Sequence, residues 1–144
     1  MIVLDTNVVS ELMKPAPADA VVHWIANQPA PTLYTTSITQ AEILHGIMLL
    51  PSGKRRGALE TAADAMFDEE FGGRVLPFGS EAARAYAQIA AQRRRLGRPI
   101  SHFDAQIAAI ARSARALVAT RNVSDYESCD IKVLNPWAAR GASG

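Results

Sequence analysis

Short apolar runs alternate with longer segments of helical periodicity along the whole chain. The first run, Met1–Leu4, is rich in β-branched residues and ends at a polar Asp-Thr-Asn, a pattern typical of a buried strand that enters a loop. Similar short runs predict four more strands, at Leu33–Thr35, Arg74–Phe78, Ala116–Ala119 and Ile131–Leu134.

Between these runs apolar residues recur every three or four positions, which is the spacing of an amphipathic helix. The spacing predicts helices over Val8–Met13, Ala18–Asn27, Ser37–Leu50, Ser52–Phe71, Ser80–Leu96 and Ser101–Arg115. Ser37 and Thr39 each stand three residues before a Gln or Glu, the spacing of a capping box. Ser80 and Ser101 stand where a side-chain cap is expected at the start of a helix.

Strands that alternate with helices predict an α/β fold with a mostly parallel central sheet, here a three-layer α/β/α sandwich. The length of 144 residues suits a single domain. We place that domain at residues 1–137 and expect the small, polar tail at 138–144 to fray.

Composition narrows the class of protein. With 49% hydrophobic and 20% charged residues the chain is not intrinsically disordered, and its net charge of +1 excludes a polybasic nucleic-acid coat. The single cysteine, Cys129, excludes an internal disulfide and a cysteine zinc site. No apolar run approaches the ~18 residues that span a bilayer. We therefore expect a cytoplasmic protein without a membrane segment.

Three acidic residues occur at positions that the apolar pattern of the strands and helices does not explain. Asp5 directly follows the first strand. Ligands of α/β sheets bind at the carboxyl ends of strands, so this position suits a binding role, but an N-cap role explains Asp5 equally well. Glu42 lies on a largely apolar helix stripe, and its alternative is the capping box with Thr39. Asp104 begins another apolar stripe, and its alternative is an interaction with the helix dipole.

Two further polar residues, Asn122 and Asp125, follow the strand Ala116–Ala119, and a simple turn explains them as well. Strand ends and helix starts meet at one edge of a parallel sheet, so we expect all of these groups to converge. Like charges ~4 Å apart repel by about 4 kcal/mol at an effective dielectric of about 20. The cluster therefore predicts a bound cation, and oxygen ligands without cysteine suit Mg²⁺ or Mn²⁺.

Several stretches carry a family resemblance that spans nearly the whole chain. They are IVLDTNVVSE within Met1–Glu11, TSITQAEILHGI at Thr36–Ile47, the segment His102–Ala111 with its single aspartate, LVATRN at Leu117–Asn122 and NPW at Asn135–Trp137. In their order and spacing the sequence resembles the PIN-domain ribonucleases, specifically the VapC toxins of bacterial toxin–antitoxin pairs and their FitB-like relatives.

The resemblance implies a Mg²⁺-dependent endoribonuclease in which Mn²⁺ can substitute for Mg²⁺. It assigns catalytic and metal-binding roles to Asp5, Glu42 and Asp104. The family often has a fourth acid just after the strand that ends at Thr120, whereas this chain has Asn122 there. Asn122 and Asp125 are therefore both candidates for the fourth position.

The implied reaction is hydrolysis of an RNA phosphodiester by water, which leaves a 5′-phosphate and a 3′-hydroxyl. Thr6 and Thr120 are expected to support the acidic groups by hydrogen bonds. Arg121, next to the strand end, is expected to contact an RNA phosphate.

The resemblance also implies partners. Such toxins form homodimers or dimers of heterodimers with a DNA-binding antitoxin whose C-terminal segment lies in a groove of the toxin. Apolar residues of the second and fourth predicted helices form either that groove or the core, and we expect core: Val22, Trp24, Leu59, Met66 and Phe67. The alternative function is a non-catalytic binding module of the same fold with a degenerate acidic site.

Overall fold

A parallel sheet forms the centre of the protein. The computed structural model describes residues 1–138, and within this range the strands are β1 Ile2–Leu4, β2 Leu33–Thr36, β3 Val75–Leu76, β4 Leu117–Ala119 and β5 Val133–Leu134. Their spatial order is β3-β2-β1-β4-β5, and every neighbouring pair runs parallel. The five predicted strands and the parallel sheet are thus confirmed.

Helices connect the strands. They are α1 Thr6–Leu12, α2 Asp19–Ala26, α3 Ser37–Met48, α4 Lys54–Ala65, α5 Ser80–Arg95 and α6 His102–Ser113. Two 3₁₀ turns lie at Ala30–Thr32 and Val123–Tyr126, and a π-helical turn, Met66–Glu70, continues α4. In this turn the amide of Phe71 donates to the carbonyl of Met66 at 2.8 Å, so the predicted helix Ser52–Phe71 is not α-helical to its end.

The sheet separates two apolar cores. Val3 and Val118 point to one face, where they pack against α5 and α6, whereas the next residues along each strand, Leu4 and Ala119, point to the opposite core. This alternation is the normal side-chain pattern of a strand. Helices therefore cover both faces, which confirms the three-layer α/β/α sandwich.

The carboxyl ends of the central strands lie side by side. Leu4 of β1 pairs with Ala119 of β4, and the amide of Asp5 donates to the carbonyl of Ala119 at 2.9 Å. Asp5 and Thr120 therefore leave the sheet next to each other. Thr36 ends β2 on the other side of β1 and leads directly into α3.

Three of the predicted cap residues, Ser37, Thr39 and Ser80, are wrong. The cap of α3 is Thr36, whose hydroxyl accepts from the amide of Thr39 at 3.1 Å, so neither Ser37 nor Thr39 caps that helix. The cap position of α5 is Gly79, which has no side chain to accept a hydrogen bond, and Ser80 already belongs to the helix. For Ser37 and Ser80 the reason is that the helix begins one residue earlier than expected, whereas Thr39 lies within the first turn of α3.

The predicted tail, residues 138–144, lies outside the described residues except for Ala138. Of the helices in the described range, none is long and apolar enough to cross a membrane.

The prediction for Ser101 is confirmed, since its hydroxyl accepts from the amide of Asp104 at 3.2 Å. Replacing Ser101 with alanine should lower the free energy of unfolding by about 1 kcal/mol, because the start of α6 loses its side-chain cap. Urea unfolding measures this loss. Ser80→Ala is the matched control, because Ser80 caps nothing, and we expect it to stay within about 0.5 kcal/mol of the wild type. Equal losses in both variants would contradict the assignment of these caps.

Candidate functional site

Asp5 occupies the end of β1 and is only 4% exposed. One carboxylate oxygen, Oδ1, accepts from the amide of Thr6 at 2.8 Å and so caps α1. The other, Oδ2, accepts from the hydroxyl of Thr120 at 2.8 Å. The capping interpretation of Asp5 is therefore correct, and the same carboxylate also faces the neighbouring strand end.

Glu42 projects from α3 toward the start of α1. Its Oε1 accepts from the hydroxyl of Thr6 at 2.8 Å, and the Thr6 oxygen lies 3.0 Å from the hydroxyl oxygen of Thr39. Since Thr36 caps α3, the capping-box interpretation of Glu42 is wrong. Thr6 thus links Asp5, through its backbone amide, to Glu42, through its side chain.

The hydroxyl of Thr120 organises the edge between β1 and β4. While it donates to Asp5, it accepts from the side-chain amide of Asn7 at 3.1 Å and from the backbone amide of Asn122 at 3.1 Å. The side-chain oxygen of Asn7 in turn accepts from the amide of Arg121 at 3.1 Å. Sequence reasoning assigned no role to Asn7, although its place in the Asp-Thr-Asn motif was a usable signal.

Asp104 lies in the first turn of α6 beside a buried tyrosine. The hydroxyl of Tyr126 lies 3.4 Å from Oδ1 of Asp104 and donates to it. Tyr126 is only 1% exposed and packs in the core between the sheet and α5–α6. Sequence reasoning missed Tyr126, because a tyrosine in a polar turn does not reveal which way its ring points.

The three carboxylates share one electrostatic environment. Burial raises the pKa of Asp5, and the charge of Asp104 raises it further. Burial also raises the pKa of Glu42, and the charges of Asp5 and Asp104 add to that shift. For Asp104, burial is again the main cause of a raised pKa, followed among the raising causes by the charge of Asp125.

These carboxylates form no ion pair with a cation of the described residues, although the charge of Arg93, beyond ion-pair distance, lowers the pKa of Asp104. Within residues 1–138 the ion pairs all lie elsewhere, and none includes Asp5, Glu42 or Asp104. Partly buried carboxylates that repel one another without a counter-ion favour either protonation or a bound cation. The structure thus brings together the three predicted acids, with Thr6 and Thr120 as the expected supporting hydroxyls.

The donor atoms at this edge determine which metal ion the residues could hold. No group of three His, Cys, Asp or Glu side chains in the described part of the chain is arranged to enclose an ion by itself. Mg²⁺ does not require such a cage, because it commonly binds through one or two carboxylates and keeps several waters. The donors are all oxygen atoms with excess negative charge, so the residues present fit a hydrated hard cation.

The remaining predicted site residues lie around this edge. Asn122 contributes its backbone amide to Thr120, and the charge of Asp125 acts on Asp104. The guanidinium of Arg121 lies 5.1 Å from the ring centroid of Trp137 and is exposed. Neither the fourth acidic position nor a phosphate contact by Arg121 is tested by these contacts, and both stay predictions.

An apolar groove of about 600 Å³ adjoins the acidic edge between α1, α3 and α4. Thr6 and Glu42 lie at one side of it. Polar or charged residues, Ser10, Lys14 and Arg55, and apolar side chains line the rest, the larger apolar ones being Met13, Ile43, Ile47, Leu50 and Leu59. Of the residues expected in the core, Trp24, Met66 and Phe67 are buried, Leu59 is partly buried against the core and also lines the groove, and Val22 is exposed.

Removing the hydroxyl of Thr120 should destabilise the fold. Thr120→Val keeps the shape of the side chain but deprives Asp5, Asn7 and the amide of Asn122 of their shared partner, at an expected cost of about 1–3 kcal/mol. Thr120→Ser keeps the hydroxyl and should lose only about 0.8 kcal/mol for one buried methyl. Chemical denaturation of both variants measures the difference, and a serine variant that is no more stable than the valine variant would contradict this role.

Comparisons with known proteins find relatives that match nearly the whole chain. The family model described as the PIN domain matches residues 2–124. A VapC ribonuclease of Sinorhizobium fredii is 43% identical over 137 residues, which cover 95% of this chain and 98% of that protein. Toxin FitB of Neisseria gonorrhoeae is 38% identical over 95% of this chain and 99% of its own length. A solved structure of FitAB bound to a DNA fragment superposes with a TM-score of 0.91 at 37% identity, over 97% of this chain and 98% of that one.

Proposed function

The chain belongs to the PIN-domain family, and from this we propose that it is the ribonuclease toxin of a toxin–antitoxin pair. The observation that carries the proposal is the set of three carboxylates at one sheet edge, Asp5, Glu42 and Asp104, all with raised pKa values and none in an ion pair among the described residues. A divalent metal dependence is typical of this family, and for this chain we propose Mg²⁺, with Mn²⁺ as a substitute.

Asp5 and Asp104 are the residues that we assign to hold the metal. A divalent ion bound there supplies a water of lowered pKa and offsets negative charge on the phosphoryl oxygens. Asp5 is fixed by Thr120 and by the amide of Thr6, so its oxygens are preorganised toward the edge.

Glu42 either binds the same ion or orients the attacking water. Its Oε1 is occupied by the hydroxyl of Thr6, which leaves Oε2 for that task. For the fourth position we favour Asp125 over Asn122, because the charge of Asp125 acts on Asp104, whereas the contact of Asn122 with the site is through its backbone. Arg121 would contact the RNA backbone after its guanidinium leaves the ring of Trp137.

The apolar groove next to Glu42 supports an antitoxin partner. An apolar segment that fills a groove between α1, α3 and α4 would cover the approach to the acidic edge. We propose that a DNA-binding antitoxin inhibits the chain in this way, within a homodimer or a dimer of heterodimers, as the FitAB structure bound to DNA suggests by similarity. We place this assembly in the cytoplasm, where its RNA substrate is found.

The chemical ends of the RNA products test this proposal. The purified chain with Mg²⁺ should cleave RNA into fragments that carry 5′-phosphates and therefore ligate to an adaptor without prior kinase treatment. Chelation of the metal should stop cleavage, and Glu81→Gln, which removes an exposed carboxylate of α5, should leave it unchanged. Fragments with 2′,3′-cyclic phosphates would reject water as the nucleophile, and an intact RNA would favour the non-catalytic binding module.

A further inference from the structure

One arginine in the run Arg93–Arg95 is buried rather than exposed to solvent. Arg93 of α5 is only 5% exposed, whereas Arg94 and Arg95 are exposed. Burying a guanidinium costs free energy unless its N–H donors are hydrogen-bonded, so the hydrogen-bond partners of Arg93 indicate its structural role. None of them is a carboxylate.

The partners of Arg93 are backbone carbonyls of the turn that follows β4. Nη1 donates to the carbonyls of Asp125 at 2.7 Å and Glu127 at 3.0 Å and lies 3.7 Å from the sulfur of Cys129. Nε donates to the carbonyl of Arg98 at 2.7 Å. The two carbonyls of the turn lie on either side of Tyr126, so the guanidinium fixes the backbone that carries this tyrosine.

The turn from Asp125 to Asp130 needs such external support. Ser128 and Asp130 have φ angles of 61° and 57°, in the left-handed region that non-glycine residues adopt at a cost. A backbone of this kind persists only where the surrounding structure holds it in place. Two ion pairs also reach this turn, from Arg98 to Glu127 and from Arg112 to Asp130. Their acidic side chains are at least half exposed, and exposed pairs stabilise little.

The consequence of this support appears at the acidic edge. Tyr126 points from the turn into the core, and its hydroxyl donates to Asp104. We propose that Arg93 is a positioning residue that acts on the carboxylates through the turn Asp125–Asp130 and the hydroxyl of Tyr126. Its role is to keep Asp104 oriented for a divalent ion. This inference rests on the proposed metal site but not on the identity of the RNA.

Mn²⁺ affinity of the full chain without RNA, measured by electron paramagnetic resonance, tests the inference. Arg93→Lys keeps the charge but loses the planar fork, and Tyr126→Phe removes only the hydroxyl. Groups that orient metal ligands typically change affinity by 10–100-fold, so each variant should raise the Kd for Mn²⁺ at least about tenfold. Arg94→Lys is the matched control from the neighbouring, exposed position, and its Kd should match that of the wild type.

The double variant distinguishes a shared route from two separate effects. If Arg93 acts through Tyr126, the double variant Arg93→Lys with Tyr126→Phe should have a Kd for Mn²⁺ no higher than that of whichever single variant binds Mn²⁺ more weakly. Losses that multiply would overturn the inference, and so would an Arg93→Lys variant with a lower Tm but an unchanged Kd. Should Arg93→Lys not fold, an unchanged Kd in Tyr126→Phe overturns it alone. A wild-type chain that binds no Mn²⁺ rejects the metal site itself, whereas one that binds Mn²⁺ but cleaves no RNA rejects only the ribonuclease function.

Discussion

Asp5→Asn is expected to abolish RNA cleavage while the metal-free chain still folds. Changes to groups that merely orient metal ligands already cost 10–100-fold, so loss of a ligand charge should lower kcat/KM by at least about 100-fold. Asparagine is as good an N-cap as aspartate, so the contact with the amide of Thr6 survives. Because burial raises the pKa of Asp5, the fold disfavours its charge, and an uncharged replacement removes that penalty.

Asp104→Asn should show the same loss of cleavage, and both variants should fold. Single-turnover cleavage of a defined RNA and a thermal melt of each metal-free variant provide the two measurements. Glu81→Gln again serves as the control for removing a carboxylate without touching the edge. Cleavage at the wild-type rate by either Asp5→Asn or Asp104→Asn would falsify the catalytic assignment.

Mg²⁺ should stabilise the protein strongly at neutral pH and hardly at all near pH 4. Burial and mutual repulsion raise the pKa values of Asp5, Glu42 and Asp104, so these groups favour the fold when protonated. Their contribution to metal-free stability is complete below the ordinary carboxyl pKa of about 4 and is lost as the pH rises through the raised values. A cation that binds the ionised groups restores stability in that upper range.

The size of this effect follows from mass action. At a Mg²⁺ concentration of about 100 times its Kd the gain is about 2.7 kcal/mol, which raises the Tm of a domain of this length by about 5–10 °C. Calorimetry at pH 7.5 and pH 4, with Mg²⁺ or with NaCl of equal ionic strength, separates specific binding from screening. A Tm gain that is the same at both pH values, or that persists in Asp104→Asn, would argue against these carboxylates as ligands.

The apolar and polar pattern of the chain was sufficient to predict the fold, because polar residues directly follow the two central strands β1 and β4. Asp5 after β1 and Thr120 after β4 interrupt apolar runs sharply, so the order of strands and helices could be read directly. Parallel pairing then followed from the helices between the strands. The acidic residues could be placed at one edge for the same reason.

Contacts between distant parts of the chain could not be predicted. The bond from Thr6 to Glu42 joins residues 36 positions apart, and the bond from Thr120 to Asp5 joins residues 115 positions apart. The local spacing favoured a capping box for Glu42, which depends only on residues three positions away. The structure replaces this local partner with Thr6 because α1 and α3 pack against each other next to β1.

Arg93 could have been found from the sequence. The buried positions of α5 are Ala82, Ala85, Ile89 and Arg93, which continue one helical stripe at spacings of three and four. A run of charged residues is usually a solvated helix surface, and Arg94 and Arg95 are exposed as this rule expects. Helical phase, rather than charge density, distinguishes the buried arginine from its neighbours.

The most direct test of the metal site is diffraction from a crystal of the protein soaked in MnCl₂, recorded for the anomalous signal of manganese. The account predicts a single strong peak at the carboxyl edge of the sheet, about 2.0–2.3 Å from an oxygen of Asp5 and from an oxygen of Asp104. A map without a peak there, with the two carboxylates turned away from each other, would contradict it.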